Sequence, residues 1–337
     1  MKKTLFLFVL VALVMISSGC SVLDGFNEPV DPSNTAQVLF TVPAGASTNR
    51  IAEDLEVAKL INSALSFKML SKELGSDGKM QAGDYKLSQA MSSQEIIDKM
   101  VDGDVYIETI TFTIPEGYEA VQIIDILVET GLGNKEEIED LLVNEPFDYK
   151  FLEGVDRSYK LEGFLFPDTY EIRKGASAKE AIVLMLNKFD LVFKPEYYDL
   201  AAARGLTISE MVTMASIVER EAVRDDERAR IAGVFWNRID KNWKLESCAT
   251  VQYILGERKP VLTYEDITIQ SPFNTYIETG LPPGPISSPG EKSIIATVYP
   301  EDTEYMFFVT TDKGDGSHTF SKTLKEHNAA IKAKKKK

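Results

Sequence analysis

The sequence predicts an α+β protein, a small strand-and-helix module followed by a larger mixed α/β domain. Three observations support this. A strand–turn–helix unit occurs twice, at residues 40–45 (FTVPAG) followed by Ile51 and Leu55, and at residues 112–117 (FTIPEG) followed by Ile123 and Leu127. The stretch 207–239 carries a helix-start signature and no Gly or Pro before Gly233. Near the end, 305–310 and 314–320 read as strands separated by a Gly-containing turn.

With 337 residues the chain is long enough for one large domain or two to three smaller ones, each with a real core. A net charge of −15 argues against nucleic acid as a partner, because phosphate binding needs clustered Lys and Arg. The one strong basic run, 332–337, is terminal and reads as a solvated end. Residues 1–20 read as an export signal. Lys2 and Lys3 precede an apolar run at 5–16 that is too short to span a bilayer. The small residues Ser17, Ser18 and Gly19 then lead to Cys20, which resembles a lipoprotein processing site with Cys20 as the lipidated residue. The bulk of the chain is therefore expected outside the cytoplasm, tethered to a membrane. With Cys20 lipidated, Cys248 has no disulfide partner, and the fold must rely on its core. Two Cys and two His (His318 and His327), widely spaced, form no metal-site pattern, and no cofactor is expected.

Residues 21–37 are polar, with Gly25, Pro29 and Pro32, and read as a tether. The first module is placed at 38–112. It has helices at 58–74 and 93–100, a turn and strand at 83–87, and a closing strand at 106–114. This strand–helix–helix–strand order resembles a LysM-type module, a unit that holds glycan chains. Residues 113–150 hold the second repeat copy and connecting helices at 119–130 and 135–143. The larger domain, 151–328, has longer helices (178–189, 197–203 and 291–298) and denser aromatics, and 329–337 is a basic tail. Within it, Pro167 restrains the backbone and Asp168 closes a local turn. The run GLPPGPISSPG at 280–290 reads as a fixed loop lining a cleft, since Pro restricts the backbone and Gly allows close approach.

The central stretch is TISEMVTMASIVEREAVRDDERARIAGVFWNRI. Thr207 and Glu210 have the spacing of a capping box. Three and four positions from Glu219 lie Ala215, Ser216, Ala222 and Val223, none of them basic. A carboxylate on that face loses solvation, which favours its protonated form. Glu221 points elsewhere and has Arg224 nearby, so it reads as a solvated, charge-paired residue.

Eight segments occur in order: 162–170 (EGFLFPDTY), 215–221 (ASIVERE), 234–238 (VFWNR), 249–253 (ATVQY), 274–276 (NTY), 280–285 (GLPPGP), 289–290 (PG) and 318–320 (HTF). Together they resemble the endolytic murein transglycosylases of the YceG-like family. The resemblance implies an enzyme with Glu219 as its catalytic acid and base. The acid would protonate the oxygen between N-acetylmuramic acid and N-acetylglucosamine. It would then take the proton of the muramic sugar's primary hydroxyl as that group closes an anhydro ring. An internal hydroxyl already in place gives this route its advantage over attack by water. The same resemblance makes Glu162, Asn237, Asn274, Tyr276 and His318 candidates for substrate binding, and Trp236 a candidate for stacking on a sugar. It implies peptidoglycan glycan strands as substrate, with penicillin-binding proteins and other wall synthases as neighbours. Many family members carry Asp where this chain has Cys248. Two other readings stand beside this one: a non-catalytic peptidoglycan-binding scaffold lipoprotein, and a muramidase using a second carboxylate such as Glu162 or Glu221.

Overall fold

The structure is a computed structural model that describes residues 27–155 and 160–334; the export signal, Cys20 and the first part of the tether lie outside the described residues. The chain divides into two compact units at the boundary between Glu108 and Thr109.

The first unit contains β1 (Val38–Val42), α1 (Thr48–Val57), α2 (Ala64–Glu73), β2 (Gly83–Leu87) and α3 (Ser93–Asp102). Each helix begins after a serine. The hydroxyls of Ser47, Ser63 and Ser92 accept from Arg50, Ser66 and Glu95 N–H, satisfying amides that the first turn leaves open. β1 and β2 pair antiparallel, with Val38 opposite Leu87 and Val42 opposite Gly83. A two-stranded ribbon is marginal by itself. Here Phe40, Val42, Tyr85 and Leu87 close over Ile51, Leu55, Phe67 and Ile96 of the helices. The strand at 83–87 and the helix at 93–100 are where they were expected, whereas the helix expected at 58–74 begins only at Ala64, because Lys59 has a left-handed φ of 57° and Ser63 caps the new start.

The strand expected at 106–114 belongs to the second unit as β3 (Thr109–Thr113), so the division falls before 112. The cause is its pairing. β3 runs antiparallel to β4 (Thr169–Arg173), and Phe112 stacks on Tyr170 with ring centroids 5.3 Å apart. The region 113–150 and the larger domain are likewise one unit. It continues with α4 (Ala120–Glu129), α5 (Lys135–Asn144), α6 (Ala178–Val192), α7 (Pro195–Ala203), α8 (Ile208–Glu221), α9 (Arg228–Asp240), α10 (Cys248–Leu255), α11 (Tyr264–Ile267), α12 (Glu291–Val298), β5 (Phe307–Thr310), β6 (His318–Ser321) and α13 (Leu324–Lys334). β5 and β6 form a third antiparallel ribbon. A chain of ring contacts from Phe151 through Phe164, Phe189 and Phe193 to Tyr197 fixes the segment around Glu162 against α6 and α7.

α8 is the central element. Thr207 and Glu210 form the expected capping box, and every residue from Met211 to Val218 is buried. A helix apolar on all sides must be enclosed, and α8 packs against both α9 and α12. The stretch 207–239 is not one helix, however. Ala222 is extended, and α9 starts only after a 3-10 turn at Asp225–Glu227. Asp225, Asp226 and Glu227 in succession favour a new helix N-terminus, where negative charge meets the helix dipole. α10 covers a segment for which no helix was expected. α13 is helical to Lys334, past the expected start of the basic tail at 329. No helix among the described residues is long and apolar enough to cross a membrane.

Two glycines are there for space. Gly163 has φ +87°, and a Cβ there would lie 2.5 Å from Pro285 Cβ and 3.0 Å from Val212 Cγ1. In α9, a Cβ on Gly233 would meet the Glu301 carbonyl oxygen at 2.4 Å. Combined strain and overlap at Gly163→Ala are expected to cost at least about 2 kcal/mol. Calorimetry should then show a Tm lower by at least about 4 °C; an unchanged Tm would contradict this packing.

Candidate active site

α8 ends with two glutamates, Glu219 and Glu221. Two residues along a helix amount to a rotation of about 200°, so the two carboxylates enter different surroundings.

Glu219 enters a buried polar cluster. Its Oε1 accepts from Arg228 Nη1 at 3.2 Å, and its Oε2 accepts from Gly290 N–H at 3.0 Å. The two side chains of this ion pair are only 7% and 9% exposed. Arg228 also donates to Ser293 Oγ at 2.6 Å and lies 3.3 Å from Asp225. The expectation that Glu219 lacks a basic partner is therefore corrected. Its partner comes from beyond the helix break, nine residues on, where counting neighbours along one helix cannot find it. The Pro-Gly loop is fixed, as expected. Ser216 Oγ accepts from Ile286 N–H at 3.0 Å, Gly117 N–H donates to Ser288 O, and Ser288 N–H donates to Tyr118 O. This loop packs on Glu219's side of α8 and does not line the large cleft described below.

A further carboxylate, Glu116, lies here. A Cβ on Gly290 would fall 2.0 Å from Glu116 Oε1, so Glu116 and Glu219 flank the same glycine. Partial burial and the Glu219 charge push the Glu116 carboxyl above the usual carboxylate range. The sequence held a signal for it. Where the first repeat copy has Ala44 between Pro and Gly, the second has Glu116.

Glu221 is half-buried and lines a cleft of about 610 Å³. Ser247 Oγ donates to its Oε1 at 2.6 Å. Arg224 pairs with Asp226 at 3.0 Å rather than with Glu221, which corrects that expectation too. Among the described residues no Lys or Arg forms an ion pair with Glu221. The cleft wall includes Phe235, Leu245, Phe307 and Phe308, whose apolar surfaces strengthen any charge interaction within it. Its polar groups include Arg238, Ser247, Cys248, Tyr276 and His318. Tyr276 Oη and Cys248 Sγ are 3.1 Å apart. Loss of solvation, the contact with Cys248 and the Glu221 charge hold the Tyr276 phenol far above its usual range. Loss of solvation and Glu221 likewise push the Cys248 thiol up. Both are neutral at pH 7, so this wall offers hydrogen-bond donors and no thiolate nucleophile.

Of the residues expected to bind substrate, Tyr276 and His318 reach this cleft. His318 Nδ1 lies 2.8 Å from Glu227 Oε2, which fixes the ring. Asn274 is fully buried. It donates to the carbonyls of Ile267 and Ile269 and accepts from Tyr276 N–H at 3.0 Å, so it shapes the loop that presents Tyr276. Asn237 donates to the carbonyls of Thr303 and Tyr305, away from the cleft. Glu162 accepts Ala120 N–H on both oxygens at 3.1 Å and caps α4, as acceptors at helix starts do. Trp236 is buried and donates to Thr297 O. Arg238 and Ser247 line the cleft although sequence reasoning did not mark them. Arg238 is held by the carbonyls of Met306 (2.8 Å) and Leu245 (2.7 Å), and by Glu246 at 3.2 Å.

The YceG-like family model matches residues 40–333. The chain belongs to the YceG-like family. It is 34% identical over 315 residues to an endolytic murein transglycosylase of Bacillus subtilis, a match covering 90% of this chain and 86% of that protein. It is 29% identical over 360 residues to an endolytic murein transglycosylase of Streptococcus pneumoniae, covering 98% of this chain but 65% of that longer protein. A crystal structure of a yceG-like protein from Listeria monocytogenes matches with a TM-score of 0.58 and 34% identity, over 87% of this chain and 99% of the other. The mixed helix-and-strand architecture described above is thus one that YceG-like proteins share.

Two outcomes follow for this YceG-like chain. Glu219→Ala removes the buried acid of the pair and leaves Arg228 with Asp225 as its remaining carboxylate, so urea unfolding should show a loss of about 1.5–3 kcal/mol; a loss below about 0.5 kcal/mol would contradict the pairing. For Glu116, a raised folded pKa means that its ionisation opposes folding, so its contribution worsens as pH rises above about 4.3. Glu116→Gln should therefore have a higher Tm than wild type at pH 7, and the difference should vanish below about pH 4.

Proposed function

We propose that this protein is an endolytic lytic transglycosylase that cuts the bond between N-acetylmuramic acid and N-acetylglucosamine in nascent glycan strands and leaves anhydro ends. The observation that carries the reading is the position of Glu221. It is a carboxylate at the end of a rigid buried helix, in the large cleft, with Ser247 as hydrogen-bond partner and no ion-paired base among the described residues. Peptidoglycan as substrate is supported by the relatives, which are named murein transglycosylases.

In this mechanism the protonated Glu221 side chain gives its proton to the glycosidic oxygen as the bond breaks. The positive charge that develops on the sugar is offset by the carboxylate so formed. Glu221 then accepts the proton of the sugar's own primary hydroxyl, which closes onto the anomeric carbon. The donors Tyr276 and Ser247 orient the carboxylate and the substrate from fixed positions, and His318 is held in place by Glu227. The other carboxylate among the lining residues, Glu246, pairs with Arg238, which supports a single-acid route over a two-carboxylate hydrolase.

The motif that pointed to Glu219 leaves it as the rival for the acid role, since it belongs to the same α8 terminus. Mass spectrometry of products from purified glycan strands separates the two assignments. Glu221→Gln is expected to lower the yield of anhydro ends by about 10²- to 10⁴-fold with its fold intact. A folded Glu221→Gln variant that cleaves at the wild-type rate would overturn the assignment, and reducing ends in place of anhydro ends would make the enzyme a hydrolase. The strand–helix–helix–strand order of the first unit supports a LysM-like role in holding glycan. The export signal and Cys20 support a membrane tether that places the enzyme on the extracytoplasmic face beside penicillin-binding proteins and other wall synthases.

A further inference from the structure

A second cavity of about 330 Å³ opens in the same unit, lined by Glu119, Val121, Glu162, Tyr253 and Phe273 among others. It takes no part in the acid–base step. The rings of Tyr253 and Phe273 lie 5.1 Å apart at 42°, giving the cavity an aromatic wall. Its polar side is carboxylate. Glu162 is 3% exposed, caps α4 and accepts from Tyr253 Oη at 3.3 Å. Glu119 is held by Arg220 at 3.1 Å. The carboxylates are taken up within the protein, so it is the aromatic face that suits a saccharide ring, whose C–H faces pack on aromatics.

The placement ties this cavity to the cleft through two elements. α10 has Cys248 in the cleft at one end and Tyr253 in the cavity at the other, about 7.5 Å along the axis. In α8, Arg220 braces Glu119 and the next residue is Glu221. We infer that the Tyr253–Phe273 cavity is a second saccharide-binding subsite, which holds a sugar of the same strand at a distance from the bond being cut. The inference rests on the transglycosylase reading. It gives that reading a physical source for preferring strands over short fragments, because binding energy from a remote sugar helps to position the reacting one.

Two variants test it. Val121→Trp fills the cavity from its rim, where Val121 is 41% exposed, and Phe273→Leu removes half of the aromatic wall while keeping an apolar residue. The readout is the ratio of KM for long uncrosslinked glycan strands to KM for a fragment of two disaccharides, with Tm measured alongside. Both variants are expected to raise that ratio about tenfold, the effect of losing one ring contact of moderate strength. A ratio that stays at the wild-type value, or a loss that is equal on both substrates, overturns the subsite. Binding of N-acetylglucosamine hexamer to Glu221→Gln, with and without Val121→Trp, reads the cavity independently of cleavage. Weaker binding by the double variant, at a Tm matching that of Glu221→Gln alone, supports the subsite, and equal binding overturns it. An enzyme that cuts no glycan, yet whose hexamer binding is weakened by Val121→Trp, would sink the transglycosylase reading and leave the cavity as a saccharide site only.

Discussion

The arrangement depends on the buried ion pair between Glu219 and Arg228, closed by the Gly290 amide. It joins the last turn of α8, the first turn of α9 and the start of α12 at one point. Two buried charges without each other would be costly. Together, and with Ser293 on the guanidinium, they hold three helix ends in register. The chain must break between α8 and α9 for the pair to form. That break leaves Glu221 as the final residue of a rigid helix, turned about 200° away from the pair. One glutamate thus fixes the scaffold, and the other is presented to the cleft.

The cleft is consistent with this division. The phenol of Tyr276 and the thiol of Cys248 are both held in their neutral forms, and Arg238 is occupied by backbone carbonyls and Glu246. A proton-transfer site needs one group free to change its charge and neighbours that keep theirs. On the other side of α8, Glu116 and Glu219 crowd Gly290, a like-charge contact that the Arg228 guanidinium and the Lys292 ammonium temper.

Much of the fold was legible. The capping box at Thr207, the repeated Pro-Gly turns and the helix at 291–298 follow from local chemistry, and the structure has them where the residues indicate. Strand partners were not legible, because pairing of β3 with β4 depends on contacts across some sixty residues of chain. The site was half legible. The motif marked the end of α8 that carries both glutamates, and Tyr276 and His318 reach the cleft. The neighbour count for Glu219 and Glu221 failed for one reason: it assumed an uninterrupted helix, so it missed Arg228 and credited Arg224. Asn237, Asn274 and Glu162 illustrate a further limit, since a buried amide or carboxylate that satisfies backbone groups looks in sequence like one that meets a ligand.

In the proposed mechanism the Glu219–Arg228 pair is scaffold and Glu221 carries the proton. The most direct measurement replaces the whole pair at once, Glu219→Leu with Arg228→Met, because exchanging both buried charges for apolar groups spares the fold where removing one does not. The double variant is expected to fold and still convert purified glycan strands to anhydro-ended products. A double variant that folds, binds glycan and forms no anhydro ends would contradict that mechanism and return the chemistry to Glu219.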